Sequence, residues 1–540
     1  MFTDARLLPA GTTHNCDVCV IGGGAAGIAI VDRLIDSGLS VVLLEAGGFY
    51  VEQHTQELFS GETVGHPYFP LESCRIRQLG GSTTRWGGWC RPLENVDFST
   101  REWLPWSGWP ISEADLKQYY DDAAGVFDLP TSDPAPYSVS DSFEERLRDK
   151  DSRFRTIAYQ RSPRTNFGKK FRTRISTARN VFSVLNANVT EMRLDPGQNR
   201  VSQVMAKALD GPAVCVRPRA VVLAAGGIEN ARILLASTRD RSAGLGNEYD
   251  NVGRFFMEHL HVPAGHLATK KSGKGLAHVR ARFHQGPKLQ GFLSPTEAAQ
   301  DNFQLLGASI ALESPGYSFG TPLIGLSSPF ISNAFNLYDR LLDSPIGPAA
   351  QLVREATTQA CHLVTRYRTW SSARMAEDSL RSNDYDIHPL YFRSEQAPDK
   401  ANRVYLGERL DVLGMPQVIL NWRPTTLDLN SISSWLGILD DDFRRMELGE
   451  LVHPQNDWQS QVIGGPHHMG TTRMSTTPRT GVVDKDCRVH SVDNLFVAGA
   501  SVFATGGFAN PTFTVVAMAL RLADKIRQDL TSYVICQETE

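Results

Sequence analysis

A chain of 540 residues exceeds what one hydrophobic core organises, so two or more domains are expected. With 41% hydrophobic and 21% charged residues and a net charge of −4, it has the composition of an ordinary globular protein and offers no basic surface to nucleic acid or an anionic membrane. Eight scattered cysteines make no disulfide framework, which suits a reducing cytoplasm.

The opening MFTDARLLPAGTTHN has no apolar core and does not read as a signal peptide, so a cytoplasmic location is expected. The first strong element is VCVIGGGAAGIAIVDRLIDSGLSVVLLEAGG, residues 18–48. An apolar strand, Val18 to Ile21, enters Gly22, Gly24 and Gly27 at GxGxxG spacing, then a helix-period segment leads to a second apolar run, Val41 to Leu44, ending in Glu45. In such a βαβ unit the first glycine permits the tight turn, the second lets a pyrophosphate approach the backbone, and the third lets helix rest on sheet. The free N–H groups at the helix start hold phosphate charge. Glu45, 18 residues beyond Gly27, is placed to accept from a ribose 2′-hydroxyl and to repel a 2′-phosphate. The unit predicts a dinucleotide site and leaves FAD and NAD open. Cys16 and Cys19 flank its first strand as small buried side chains. Neither HExxH nor a paired-cysteine zinc pattern occurs, and no metal is expected.

Residues 60–110, rich in Gly, Trp, Arg and Pro, read as structured loop. The stretch from Val181 to Asp195 reads as a strand, and Val201 to Ala208 and Val214 to Pro218 as two more. Ala220 to Ala225 is a buried strand followed by Gly226, Gly227 and a helix, a return to the nucleotide-binding sheet. From about 255 to 465 strand-like runs (HVPAGHLAT, NFQLLGASIAL, HPLYFRSEQ, NRVYLGE) alternate with polar turns, with helical patterns at about 340–370 and 425–447. Ser314 to Tyr338 is uncharged, yet broken by three prolines. It is no transmembrane span, and reads as a lid, a subunit contact or a surface insertion. From about 466 the glycine-rich character returns. Leu495 to Ala498 is a short buried strand, Pro511 opens a long helix as its N1 residue, and the last dozen residues read as a surface tail.

These blocks, in this order, resemble the glucose–methanol–choline (GMC) oxidoreductases: VCVIGGGAAGIAIVDRL and LLEAGG, RQLGGSTTRWGG, AVVLAAGGIENARILLAS, NVGRFFMEH, HHMGTTRM and GFANPTFTVVAMALRLAD. HHMGTTRM with RVHSVDNLFVAGASVF looks most like bacterial sugar and glycoside oxidoreductases, among them pyranose oxidase-like enzymes, glycoside 3-oxidases and sugar dehydrogenase large subunits. The resemblance selects FAD over NAD. It implies an α/β fold: a discontinuous FAD-binding domain of Rossmann type (1–255 and 466–540, with loop insertions at about 55–180) and an α+β substrate domain (256–465). The latter has a mostly antiparallel sheet, helices on one face and a lid or oligomer-contact insertion at about 314–372.

On the same ground Gly80, Gly81, Ser82, Thr83, Trp86 and Gly87 should wrap the pyrophosphate and isoalloxazine edge. Val189 should lie near the adenine, and Gly499, Ala500, Asn510, Pro511 and Thr512 near the flavin. Arg85 stands where covalently flavinylated pyranose oxidases carry a His, so the FAD is expected to be non-covalent. Gly87 replaces a Thr of those oxidases, which leaves oxygen, a quinone or a dye open as the electron acceptor.

Alcohol oxidation by a flavin removes a proton from the hydroxyl and a hydride from the carbon. An alkoxide donates hydride far better than a neutral alcohol, so a base with pKa near working pH is needed, and histidine meets this. His467, four residues before Thr471, stands where the resemblance places the base, with His468 the neighbouring alternative. Asn510 stands where it places the partner that holds the substrate oxygen; as a residue type it is equally an N-cap. Arg393, Glu395 and Gln396 are candidate contacts to vicinal sugar hydroxyls, the first two on one strand face, with a surface ion pair as the other reading. His259, His261, His388 and His490 read as structural. The expected substrate is a sugar or glycoside whose secondary hydroxyl becomes a ketone. The rivals are a subunit that passes electrons to a partner and a lyase that keeps FAD structurally.

Overall fold

The computed structural model describes residues 1–132, 152–163, 166–270, 288–312, 385–452 and 458–537. The 314–338 segment, the helical pattern at 340–370 and the insertion at 314–372 fall outside the described residues. The rest forms an α/β framework beside an antiparallel layer.

The first sheet runs Phe2–Asp4, Val181–Leu185, Val41–Leu44, Thr13–Ile21, Ala213–Leu223, Val201–Lys207, Asn188–Leu194, with Leu495–Val497 beside Ala213–Leu223. The first five and Leu495–Val497 are parallel; the last two turn back antiparallel. Parallel strands are covered on both faces, which is why Val18, Val20, Val41, Leu43, Val221 and Leu223 are all buried. Helix Ala25–Leu34 covers one side and lies against the helix Thr512–Gln537. Register decides where the site falls: Ile21 pairs with Leu44 and with Leu223, and Leu223 pairs with Val497. Four strands thus end at one edge, so Gly22, Glu45, Ala224 and the start of the Gly499 turn converge there, as ligand sites of open α/β sheets require.

The stretch from Val181 to Asp195 is two strands, not one. Asn186 adopts a left-handed φ of 58°, which asparagine tolerates, and the chain turns so that its halves lie apart in the sheet. Conversely, Val214 to Pro218 and Ala220 to Ala225 merge into Ala213–Leu223, because Pro218 keeps an extended backbone opposite Cys16 although it lacks an N–H. In NFQLLGASIAL only Ala308–Leu312 is strand; Phe303 ends a helix that begins at Glu297 behind the Thr296 cap. The expected C-terminal tail is helical through Gln537.

The second sheet is antiparallel throughout: Gly449–Val452, Leu260–Lys270, Tyr385–Ser394, Ala308–Leu312, Lys288–Pro295, Phe154–Arg161, Trp89–Cys90, with Ile463–Gly464 also on Leu260–Lys270. It thus draws two strands from the region before residue 256. Helix Thr426–Arg445 buries Ile432, Trp435, Leu439 and Phe443, and the Trp435 indole donates to the Leu306 carbonyl at 2.8 Å. A three-stranded sheet of Arg403–Leu410, Pro416–Trp422 and Gly61–Gly65 completes the framework. Among the described residues no helix is long and apolar enough to cross a membrane.

Candidate active site

The cleft starts at the glycine turn. Gly22 has φ +104°, and a Cβ there would stand 2.6 Å from the Ala224 carbonyl oxygen; a Cβ on Gly27 would stand 1.9 Å from the Gly22 carbonyl. Gly27 therefore serves helix-to-turn packing and does not line the cleft, whereas Gly22, Gly24, Ala25 and Ala26 do. Glu45 turns inward: its carboxylate accepts from the N–H groups of Gly23 (2.6 Å) and Gly47 (2.7 Å), and burial pushes its pKa up to about 7. Those bonds fix the turn and leave each oxygen a second lone pair for a ribose hydroxyl.

The second glycine stretch is tied to the first, because Gly80 donates to the Gly23 carbonyl at 2.7 Å. Gly81, Ser82, Thr83 and Trp86 line the cleft; Gly80, with φ +100°, supports them against Gly168. Thr83 spends its hydroxyl on the Gly80 carbonyl and the Phe167 N–H. Gly87 stands back from the wall, its carbonyl accepting from Arg161 Nε at 2.9 Å. Val189 lines the far end.

That far end carries a charge cluster that the sequence reading missed. Arg75, Arg77 and Arg232 surround Glu229, and Arg232 also reaches Asp411 at 2.7 Å. Burial alone would raise the Glu229 pKa; Arg232, Arg75 and Arg77 outweigh it and hold the carboxyl near 2. Arg75 and Arg77 both lie over the Phe59 ring, at 4.1 and 4.3 Å. The Arg-Ile-Arg alternation at 75–77 was the available signal, but its acidic partner lies about 150 positions away.

At the other end stand Pro466, His467, His468, Gly499, Ala500, Pro511 and Thr512, so one cleft of about 1470 Å³, counted to its open mouth, runs from glycine turn to histidines. Glu258 anchors the histidine loop through its carboxylate, which accepts from the main-chain N–H groups of Gly465 (3.1 Å) and His467 (2.8 Å) and from the Tyr68 hydroxyl. Burial raises the Glu258 pKa to about 7. His468 Nε2 meets the Tyr68 hydroxyl at 3.0 Å, and its ring leans on Phe256. His467 instead meets His259, Nδ1 to Nδ1 at 2.8 Å, with the His261 ring 6.2 Å away. Burial, then His259 and the Arg393 charge, hold His467 well below the usual histidine pKa; burial takes His468 to about 3.

Arg393 Nη1 donates to Asn510 Oδ1, joining the antiparallel sheet to the residue before Pro511. Pro511 itself lies one position ahead of the first helical residue, Thr512. Glu395 and Gln396 do not join this group, because the strand ends at Ser394 and its alternation stops there. Glu395 is fully buried against Arg101, at 2.5 and 2.8 Å, and accepts from the Gly307 N–H. Gln396 accepts from the Glu258 N–H and the Trp422 indole and donates to the Arg423 carbonyl. Both are framework residues. Of the four histidines read as structural, His259 and His261 stand at the site; His388 bonds the Thr269 hydroxyl.

Residues 398–519 match the family model described as GMC oxidoreductase. Over that segment the chain is similar to the GMC oxidoreductases. Over 97% of its length it is 26% identical to the 6'''-hydroxyparomomycin C oxidase of Streptomyces lividus, covering 94% of that protein. Over 24% of its length it is 44% identical to the C-glycoside 3-oxidase of Arthrobacter globiformis, covering 25% of it. Its fold matches a formate oxidase of Aspergillus oryzae, solved for the modification of its FAD, with TM-score 0.56 and 16% identity over 97% of this chain and 100% of that one. Together the matches point to an FAD-dependent oxidoreductase of the GMC type, acting on CH–OH groups. The cleft fits that cofactor: a Cβ added at Gly24, Gly226 or Gly499 would meet nothing within 4 Å, so at these three lining positions a ligand can reach the backbone itself. Gly22, Gly24 and Glu45 would hold the phosphates and ribose, Val189 and the arginine cluster would enclose the adenine end, and the start of helix Thr512–Gln537 would face the flavin.

Proposed function

We propose that this enzyme oxidises a secondary hydroxyl of a sugar or glycoside to a ketone, with oxygen or a quinone as final electron acceptor and FAD bound non-covalently. The observation that carries the reading is the juxtaposition of a half-buried imidazole that lines the cleft, His467, with the nearby Arg393–Asn510 pair, which stands just ahead of the cleft-lining Pro511 and the helix start. When bound, FAD supplies the hydride acceptor. His467 takes the hydroxyl proton. Arg393 holds the Asn510 amide by its oxygen, which turns the Nδ2 donors away from Arg393 and towards a substrate oxygen gathering negative charge. The N-terminal end of helix Thr512–Gln537 adds a partial positive charge, worth on the order of ~1 kcal/mol to an anion there. The similarity to a C-glycoside 3-oxidase and an aminoglycoside oxidase supports a sugar-like substrate.

The test is anaerobic mixing of the yellow enzyme with free sugars, O-glycosides and C-glycosides. Bleaching of the flavin's visible band by a sugar or glycoside, with a keto sugar as product, is the expected outcome. Turnover without bleaching would mark a lyase and remove the proposal.

The pH dependence has a definite sign. A histidine pKa below the usual value means that the base form persists into more acid solution. The rate constant of flavin reduction should stay level as pH falls through about 6.5, the ordinary histidine value, and decline only below it. Stopped-flow reduction across a pH series checks this; an acid limb centred at or above the ordinary value contradicts it.

A further inference from the structure

We propose that His259 is a positioning residue that fixes the tautomer of His467, so that Nε2 of His467 carries the lone pair facing substrate. The inference rests on His467 being the base and adds what makes that ring competent. Only one of the two Nδ1 atoms 2.8 Å apart can carry the proton between them. The other side of the His259 ring decides which. His259 Nε2 faces the Gly506 carbonyl at 3.4 Å, and a carbonyl oxygen only accepts, so Nε2 of His259 bears hydrogen. Burial and the nearby Arg393 charge press the His259 pKa down to about 3, so the ring is neutral and its Nδ1 is bare. His467 must then donate from Nδ1, which leaves its Nε2 without hydrogen.

The backbone holds this arrangement rigid. Met257 and Met469 exchange both main-chain hydrogen bonds at 3.0 Å, and Leu260 pairs with Gly464. The segment bearing His259 therefore runs antiparallel to the segment bearing His467 and grips it on both sides. Glu258, between those pairings, takes the His467 N–H. His259 itself has no solvent exposure. When the substrate hydroxyl proton passes to His467 Nε2, the imidazolium keeps its Nδ1–H on His259 Nδ1; one O–H bond breaks, one N–H bond forms, and the electron pair left on oxygen would close the carbonyl as the C–H pair departs as hydride to the acceptor that bound FAD would supply. The opposite tautomer would present N–H to the substrate and could take no proton.

Two experiments test this. In the holoenzyme labelled with 15N-histidine, the His467 resonances, assigned by their loss in His467→Gln, should show Nδ1 protonated and Nε2 bare. A protonated Nε2 overturns the proposal. Second, His259→Phe keeps the ring's bulk and loses the acceptor, whereas His259→Asn places an oxygen near the Nδ1 position. With FAD content unchanged, the phenylalanine variant should reduce its flavin roughly 10- to 100-fold more slowly, the usual effect of losing a group that orients an active imidazole, and the asparagine variant should recover most of that loss. Wild-type rates in His259→Phe, or equal losses in both variants, overturn the proposal. His467→Ala separates the two layers of argument: if it too reduces flavin normally, the base reading has failed; if it alone is slow, only the role of His259 has.

Discussion

Replacing His467 with alanine should slow anaerobic flavin reduction by roughly 10²–10⁴-fold, the range that general-base assistance supplies, while FAD stays bound. The two halves of that expectation rest on different atoms. On the proposed reading the rate falls because the side chain is the proton acceptor, and without it hydride must leave a neutral alcohol. The cofactor should stay because the groups proposed to hold it are other ones that line the cleft: the glycine turn, Glu45, and the cluster of Arg75, Arg77 and Arg232. The loop itself also stays, since Glu258 holds it through the main-chain N–H groups of residues 465 and 467, which alanine keeps. Stopped-flow traces give the rate and the ratio of flavin to protein absorbance gives the occupancy. Reduction at the wild-type rate would remove the base assignment. If His468 were the base instead, alanine at 468 would carry the large loss and alanine at 467 would not. Its ring nitrogen, however, is engaged by Tyr68.

What could be read from residue order alone was what is local in the chain. The GxGxxG turn, its strand and helix, and the acidic end of the second strand lie within about thirty residues, and two of the glycines are needed where spacing placed them, Gly22 for its turn and Gly27 for a close approach, whereas a Cβ on Gly24 would meet nothing. The block around His467 and Asn510 was legible through family resemblance. What could not be read depends on partners far away in the chain. Glu229 is ionised because Arg232, three positions on, is joined by Arg75 and Arg77 from about 150 positions earlier. Glu395 and Gln396 looked like sugar ligands because their run resembles the flavin-facing part of a substrate domain, but the strand ends at Ser394 and both side chains are taken up by distant groups, Arg101 and Trp422. His259 and His261 looked inert because no acid stands at ligand spacing; the partner of His259 is another imidazole 208 positions on, and that of His261 is the Tyr391 hydroxyl. Strand breaks failed for a related reason, since the left-handed φ at Asn186 splits a continuous apolar pattern that composition alone joins.

Replacing Glu395 with alanine should lower folding stability by about 3–5 kcal/mol, the cost of stripping one partner from a buried ion pair. Arg101 and Glu395 are 2% and 0% exposed at their side chains and meet through two hydrogen bonds. Without the carboxylate the guanidinium is left in a site closed to water, and the Gly307 N–H loses its acceptor as well. Nearby Asp97 offers partial relief: burial first, and the Glu395 charge second, keep its carboxyl far above the usual range, and removing Glu395 takes away the second cause and shifts it toward the ionised form beside Arg101. The loss should therefore fall toward the lower end of the range. Glutamine at 395 keeps an acceptor for Gly307 and should lose less than alanine. Urea unfolding of the holoenzymes measures this as a lower midpoint at similar slope. The reading of Glu395 as a ligand for sugar hydroxyls requires the reverse, a raised KM in a protein of normal stability, so one pair of measurements on one variant decides whether this carboxylate holds the substrate or the layer beneath it.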